Sequence, residues 1–348
     1  MNKGTQEIVV QADALREFVS VLYQKVGVFK EDADAVANME VETDLRGVYS
    51  HGTRAMPRYV HGIRSGNLKA RPDMQIVKEG ASFALLDGDR GLGYMAGIQA
   101  MNLAISKAKM TGIAAVGVRN SEHFGAAACY SMMALEHDMI GFATTNTGGT
   151  SIVAPGGITP VVANNPMSYA IPTKDEPPIV LDMACGISAW GRVGTMSMYG
   201  EKIPDGWLLS KDGQPTNDPK VGRIMLPAAG PKGYGLAVVM GALAGPLVGG
   251  LTACLKKDSE PSEHFFYALN IESFVSLDEF TETMDETIRI IRASKTAEGV
   301  KRVYLPGEIE WLNRQKFLRE GIPLHKNHLD SLANLARQLE VKVFWESS

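Results

Sequence analysis

Cysteine is scarce in this chain of 348 residues: Cys129, Cys185 and Cys254 stand far apart and odd in number. They make no CxxC pair and no zinc-ligand spacing, which excludes a disulfide framework and fits a reducing cytoplasm. Cys185 reads as a small buried thiol. An excess of one charge is also missing, since 35 basic residues face 39 acidic ones for a net charge of -4. No electrostatic footprint for nucleic acid follows from that balance. The run Lys256-Lys257-Asp258 is mixed in sign and reads as a solvated loop. No long apolar run is present either. The most apolar segment, Leu236 to Leu251, is broken by glycines and Pro246, so it reads as a buried helix and turn rather than a membrane span. The amino terminus shows no basic segment followed by an apolar run and a small-residue cleavage site, so no secretory signal is expected. No internal repeat recurs.

What is present is a pair of histidines in short polar contexts. His51 lies in Tyr49-Ser50-His51-Gly52-Thr53-Arg54, and His123 in Asn120-Ser121-Glu122-His123-Phe124-Gly125. Imidazole titrates nearest neutrality and is the commonest general acid or base. Arg54 and Arg58 follow the first histidine, and a guanidinium is the planar fork that grips a carboxylate. The pattern points to proton transfer on a small carboxylate-bearing molecule. The plainer alternative for each histidine alone is a hydrogen-bonded structural residue.

Periodicity gives a coarse map. Helices are expected over Gln11 to Val26, from about Glu31 to Thr43, and over Met56 to Ser65, making the first seventy residues a helical layer. From Gln75 the character changes. Strands are expected at 83–87, 113–118, 140–144, 168–171, 179–183 and 264–271. They alternate with helices at 95–110, 130–138, after Lys232, at 277–293 and at 327–339. Alternating strands and helices indicate an α/β domain.

Four further segments bear on chemistry. Gly88-Asp89-Arg90-Gly91-Leu92-Gly93 has the spacing GxxGxG, so it reads as a glycine turn into a helix and not as the dinucleotide fingerprint GxGxxG. In Pro227 to Leu236, a turn delivers Lys232 to the start of an apolar helix, an arrangement suited to an anion; the alternative is a solvated lysine. Asp182 ends an apolar strand, where it either accepts from ribose hydroxyls or caps a helix starting near Cys185. Asn164-Asn165-Pro166 forms a polar turn that fixes a ligand or simply closes. Outside redox chemistry, the alternatives are a metal-dependent hydrolase or lyase using His51, His123 and Asp182, and a non-catalytic carboxylate-binding protein. Against the first, no HExxH or other local ligand spacing occurs, and no metal is expected.

Taken as an ordered set, these pieces resemble the malate/L-lactate/ureidoglycolate dehydrogenase family, which lies outside the Rossmann superfamily. The matching segments are Ser50-His51-Gly52 with Pro57-Arg58-Tyr59, Gly88 to Gly93, Ser121 to Gly125, Asn165-Pro166 and Leu181 to Ala184. They continue with Trp190-Gly191, Ile203 to Trp207, Pro215 to Pro219, Leu226 to Leu236 and Leu305 to Glu308. The resemblance covers nearly the whole chain. It implies an NAD(P)-dependent dehydrogenase acting on a CH–OH group of a small 2-hydroxy acid. The implied fold is α/β, with a non-Rossmann mixed-sheet cofactor domain at 75–309 and a helical domain from 1–74 and 310–348.

Carried over by position, His123 matches a histidine assigned as proton acceptor, and His51 matches one assigned as proton donor. Ser50 and Arg54 or Arg58 would orient the carboxylate. Thr147, Asp182, Met183, Ala184, Lys232, Pro306, Gly307 and Glu308 match cofactor contacts. One departure is Ala55, where the family commonly carries an arginine four residues after the first histidine. The expected substrate is (S)-ureidoglycolate, with malate, L-lactate or sulfolactate as the alternative. NAD is expected, with NADP possible, because Asp182 would accept from a ribose 2′-hydroxyl. The resemblance also implies a homodimer with a shared active site.

Overall fold

The computed structural model describes residues 6–146, 148–257 and 260–346. Its centre is a seven-stranded mixed sheet. In spatial order the strands are Gln75–Glu79, Phe83–Asp87, Ile113–Ser121, Ser262–Asn270, Met139–Asn146, Met167–Ile171 and Ile179–Met183. Only the second and third run parallel; every other neighbouring pair is antiparallel. The carboxyl ends of the strands at 83–87, 113–121, 139–146 and 179–183 therefore share one edge. That edge carries the polar segments that follow them.

The helix Gly93–Thr111 lies along one face of the sheet and buries Ala100, Met101, Ala104, Ile105 and Ala108 against it. Its small residues allow close approach to the β-branched face of Val116 and Val118. The same apolar core continues into the helices Ala12–Lys25, Lys30–Leu45, Met56–Arg64 and Lys326–Gln338. The strand Glu7–Val10 pairs antiparallel with Ile322–His325, tying the two ends of the chain together. A small five-stranded sheet built from residues between 152 and 225 sits over the helix Pro231–Leu243 side.

The helix boundaries read from periodicity are reproduced within a few residues at 12–25, 30–45, 56–64, 93–111, 231–243, 277–292 and 326–338. Two helices were not expected: Trp190–Met198, nine residues long with glycines at 191 and 194, and Glu308–Glu320, which has no clear apolar stripe. The expected helix at 130–138 is instead one α-turn, Ala128–Ser131, running into the 3-10 segment Met132–His137. The apolar helix Pro231–Leu243 is only half buried. Val238 and Val239 stand about half exposed on its outer face, as does Leu247 just beyond it, which corrects the expectation of a buried segment. Among the described residues, no helix is long and apolar enough to cross a membrane. Cys129 and Cys185 are buried and Cys254 is exposed, all as free thiols.

Candidate active site

The two histidines meet. Their rings stack with centroids 5.7 Å apart and planes inclined by 25°. His123 follows the strand Ile113–Ser121 at the sheet edge, and His51 comes from the turn between the second and third helices. The contact requires close backbone approach. A Cβ on Gly93, at the start of its helix, would lie 2.1 Å from the Glu122 carbonyl oxygen and 2.6 Å from that of His123. The third glycine of the Gly88–Gly93 turn thus lets a helix start against the His123 loop. Tyr94 then donates to the His51 carbonyl at 3.0 Å.

His123 is held from behind. Its Nδ1 accepts from the Gly125 N–H at 3.2 Å and lies 2.6 Å from the Tyr59 hydroxyl. Gly125 has φ of 76°, and a Cβ there would sit 2.3 Å from the Tyr94 hydroxyl. Beneath the loop, Phe124 stacks on His264 at 4.7 Å. The Thr145 hydroxyl donates to the Glu263 carbonyl, so it accepts from His264 Nδ1 at 2.8 Å. Ser121 Oγ stands 3.1 Å from His264 Nε2. Burial pushes His264 down to about 3, with the Lys256 charge adding to the effect. His123 is pushed well below its ordinary value by burial, then by His51, Arg58 and His264. Burial and the charges of Arg54 and Arg58 bring His51 down to about 4. Both site imidazoles are therefore neutral at pH 7.

Ser50 Oγ is 2.8 Å from His51 Nδ1. Both residues rest against the helix Trp190–Met198. A Cβ on Gly191 would be 2.4 Å from that of Ser50 and 3.6 Å from His51 Cε1. The two arginines differ. Arg54 spans to the same helix, donating to Thr195 Oγ1 and the Gly191 carbonyl, both at 2.8 Å. Arg58 is largely exposed and pairs with Glu122, the neighbour of His123, at 2.8 Å. Arg54 is thus already engaged inside the chain, while Arg58 is the more accessible fork.

The cofactor candidates that lie among the described residues cluster at the far end of the same edge. The Val180 N–H donates to the Pro306 carbonyl at 3.0 Å, and a Cβ on Gly307 would meet Val180 O at 2.5 Å. Pro306-Gly307-Glu308 therefore adjoins Asp182-Met183-Ala184. Glu308 is buried, takes ion pairs from Arg302 and Arg292, and accepts from the Leu305 N–H at 3.0 Å. The start of the Lys232 helix joins them through Ala228 N–H, which donates to the Cys185 carbonyl at 3.0 Å. Asp182 does make a cap, but Oδ2 accepts from Ala128 N–H at 3.0 Å instead of from a helix at Cys185. Asn164 closes its turn by bonding Ser188 O and Gly186 N–H. Thr147 lies outside the described residues.

These residues fit a dinucleotide. Lys232 is exposed, and among the described residues it makes no hydrogen bond or ion pair. A Cβ on Gly230 or Gly235, flanking it, would meet nothing within 4 Å. An open helix start with an unspent ammonium suits a pyrophosphate. No group of three or more His, Cys, Asp and Glu side chains able to hold a metal ion occurs among the described residues.

Sequence reasoning gave no supporting role to Tyr59, Gly93, Gly125 or Thr195, nor to the buried Asp44, Thr53 and His328. Asp44 did leave a signal. It falls on the same face of its helix as Ala33, Val36, Ala37 and Val41, where an apolar residue belongs.

Fold and site together define an α/β oxidoreductase with a mixed sheet and a histidine pair at its edge. A family model described as malate/L-lactate dehydrogenase matches residues 10–333. The chain belongs to that family, and it is a dehydrogenase acting on small hydroxy acids. A malate dehydrogenase of Pyrococcus abyssi is 40% identical over 96% of this chain and 95% of its own length. An L-sulfolactate dehydrogenase of Methanocaldococcus jannaschii is 36% identical over 97% and 98%. The crystal structure of malate dehydrogenase from Entamoeba histolytica superposes with a TM-score of 0.93 at 30% identity, covering 97% of this chain and 100% of that one. The ureidoglycolate dehydrogenase (NAD(+)) of Escherichia coli is 29% identical over 90% and 92%. The expectation of ureidoglycolate therefore gives way to its alternative, malate or sulfolactate.

Proposed function

We propose that this protein oxidises malate or a close analogue such as sulfolactate at the hydroxyl-bearing carbon, reversibly, with NAD as coenzyme and NADP as the lesser alternative. The observation that carries this reading is the stacked pair His51 and His123 between Arg54 and Arg58. Two neutral imidazoles for the hydroxyl proton lie beside guanidinium groups suited to carboxylate or sulfonate. Bound nicotinamide supplies the hydride acceptor. The chain supplies orientation and the proton path. His123 takes the hydroxyl proton on Nε2 as the carbonyl forms, and His51, steadied by Ser50, holds the substrate oxygen. Arg58 takes the carboxylate nearest the loop, and Arg54 fixes the other wall. Lys232 would steady the pyrophosphate of the bound coenzyme, and Asp182 and the Pro306–Glu308 turn would hold its adenosine end.

Residues 1–74 and 310–348 act as one helical domain that carries His51 over the cofactor domain at 75–309. The pairing of Glu7–Val10 with Ile322–His325 and the ion pair of Arg314 with Glu42 support this division. The exposed apolar face at Val238, Val239 and Leu247 supports assembly as a homodimer, which would bring partner residues toward the site.

Steady-state assays with malate, sulfolactate, lactate and ureidoglycolate, each with NAD and NADP, test the reading. The expected result is the highest kcat/KM for malate or sulfolactate with NAD. A preference of tenfold or more for ureidoglycolate overturns the substrate, and a lower KM for NADP overturns the coenzyme. Light scattering that shows a fully active monomer overturns the dimer.

A further inference from the structure

We propose that Thr53, anchored by Asp44 and His328, is a positioning residue for the His51–Arg54 half of the active site. The proposal rests on the reading of His51 and Arg54 as substrate-facing groups.

Asp44 is completely buried on the core side of its helix. Its Oδ2 accepts from the Thr53 hydroxyl at 2.6 Å and from the Thr53 N–H at 3.2 Å. Because that hydroxyl proton points to Asp44, Thr53 Oγ1 acts as acceptor toward His328 Nε2, 3.0 Å away. The bonds run in one direction, from His328 through Thr53 to Asp44. They join three separate elements: the helix Lys30–Leu45, the turn Thr53–Ala55 and the helix Lys326–Gln338.

Thr53 lies between the two groups it positions. On one side, Gly52 is pressed onto Asp44 so closely that a Cβ would fall 2.1 Å from Oδ1 and 2.8 Å from the Glu40 carbonyl oxygen. His51 precedes that glycine directly. On the other side, Arg54 leaves the anchored turn to reach Thr195 and Gly191. Asp44 thus fixes the backbone from below while Arg54 ties it to the opposite wall.

The array is a poor device for stability alone. Asp44 Oδ1 and Glu40 Oε2 are buried without a hydrogen-bond partner, and such atoms cost free energy. Apolar side chains would hold the two helices together without that cost. What polar contacts add is a single register for the turn, and a site needs its groups held to about half an ångström.

Thr53→Val keeps the shape and removes the hydroxyl; Thr53→Ser keeps the hydroxyl. Each is compared with the parent by kcat/KM on the best hydroxy acid, by dinucleotide Kd, by Tm, and by the imidazole ¹⁵N resonances of His51. Thr53→Val is expected to lower kcat/KM by about tenfold or more, leave the Kd within about twofold and shift the His51 resonances. Thr53→Ser is expected to return kcat/KM to within about threefold of the parent. Unchanged kcat/KM with unmoved His51 resonances in Thr53→Val overturns the proposal. If Thr53→Val fails to fold, Thr53→Ala is judged by the same criteria. Should the parent oxidise no hydroxy acid, the functional reading fails, and the His51 resonances alone decide the positioning role.

Discussion

The Tyr59 hydroxyl stands 2.6 Å from Nδ1 of His123, on the same nitrogen that accepts the Gly125 N–H. A backbone N–H can only donate, so the neutral ring carries its proton on Nε2 in this arrangement. Reduction of a 2-oxo acid would instead draw on the doubly protonated ring, which gives its Nε2 proton to the forming alkoxide and keeps the one on Nδ1. For oxidation, Nε2 must be bare and the proton must sit on Nδ1, donated to Tyr59. The tyrosine is the partner that serves both tautomers. A ring bonded only to Gly125 would be locked in one.

His123→Ala should lower turnover by about 10² to 10⁴ in both directions, the usual size of a general acid–base contribution, with dinucleotide affinity little changed. Tyr59→Phe removes one hydrogen bond to the ring and should cost roughly 3- to 10-fold in both directions. Steady-state rates in the two directions separate these outcomes. Turnover of His123→Ala within tenfold of the parent would remove it as the proton carrier.

Lys232→Met should weaken dinucleotide binding by about tenfold, near 1.4 kcal/mol, and leave kcat within a few-fold. The contact is made to coenzyme in ground and transition state alike. Quenching of protein fluorescence by reduced coenzyme measures it. An unchanged Kd would mean that the lysine is merely solvated.

Gly93→Ala places a methyl group against two carbonyl oxygens of the 122–123 segment, neither of which can rotate away. The helix start or the His123 loop must move. A loss of roughly 1 to 3 kcal/mol in stability is expected, together with a fall in kcat larger than any change in coenzyme affinity. Thermal unfolding and kinetics on the same preparation check both. A variant with parental Tm and kcat would show that the turn gives way freely.

The buried histidines should favour unfolding in acid. His51, His123, His264 and His328 are held neutral by burial, with His51 pushed down to about 4 and His264 and His328 to about 3. Their unfolded value is near 6.5. At these four positions the unfolded chain binds more protons between those limits, so their contribution is full above about pH 6.5 and is lost as pH falls toward 4; Asp44 and Asp182, whose carboxyls burial raises to about 7 and about 6, work in the opposite sense. Unfolding in urea across pH 4 to 8 measures the slope. His264→Asn should flatten it, since the amide keeps polar contacts to Ser121 or Thr145 and does not titrate. A slope unaltered by that change would assign the acid sensitivity to other groups.

The sequence by itself determined the helical layer, the strands of the central sheet except the edge strand Gln75–Glu79, and the two histidine segments. In each case the signal is local: apolar spacing of 3.6 residues along Leu15, Phe18, Val19 and Leu22, continuous apolar runs for buried strands, and glycine beside histidine. It also determined the family, because ten short motifs in fixed order constrain a chain far more than any one of them. It could not choose among substrates, since a hydroxy acid's side chain is read by whatever lines the site, and that lining comes from distant segments. Tertiary structure alone decided that Asp44 and His328 meet at Thr53, 275 residues from its histidine partner, and that Gly93 clears room for His123. It also decided that Arg54 is engaged while Arg58 remains accessible. Each of these depends on which faces of separate helices and turns are pressed together when the sheet edge and the helical layer bury one common core.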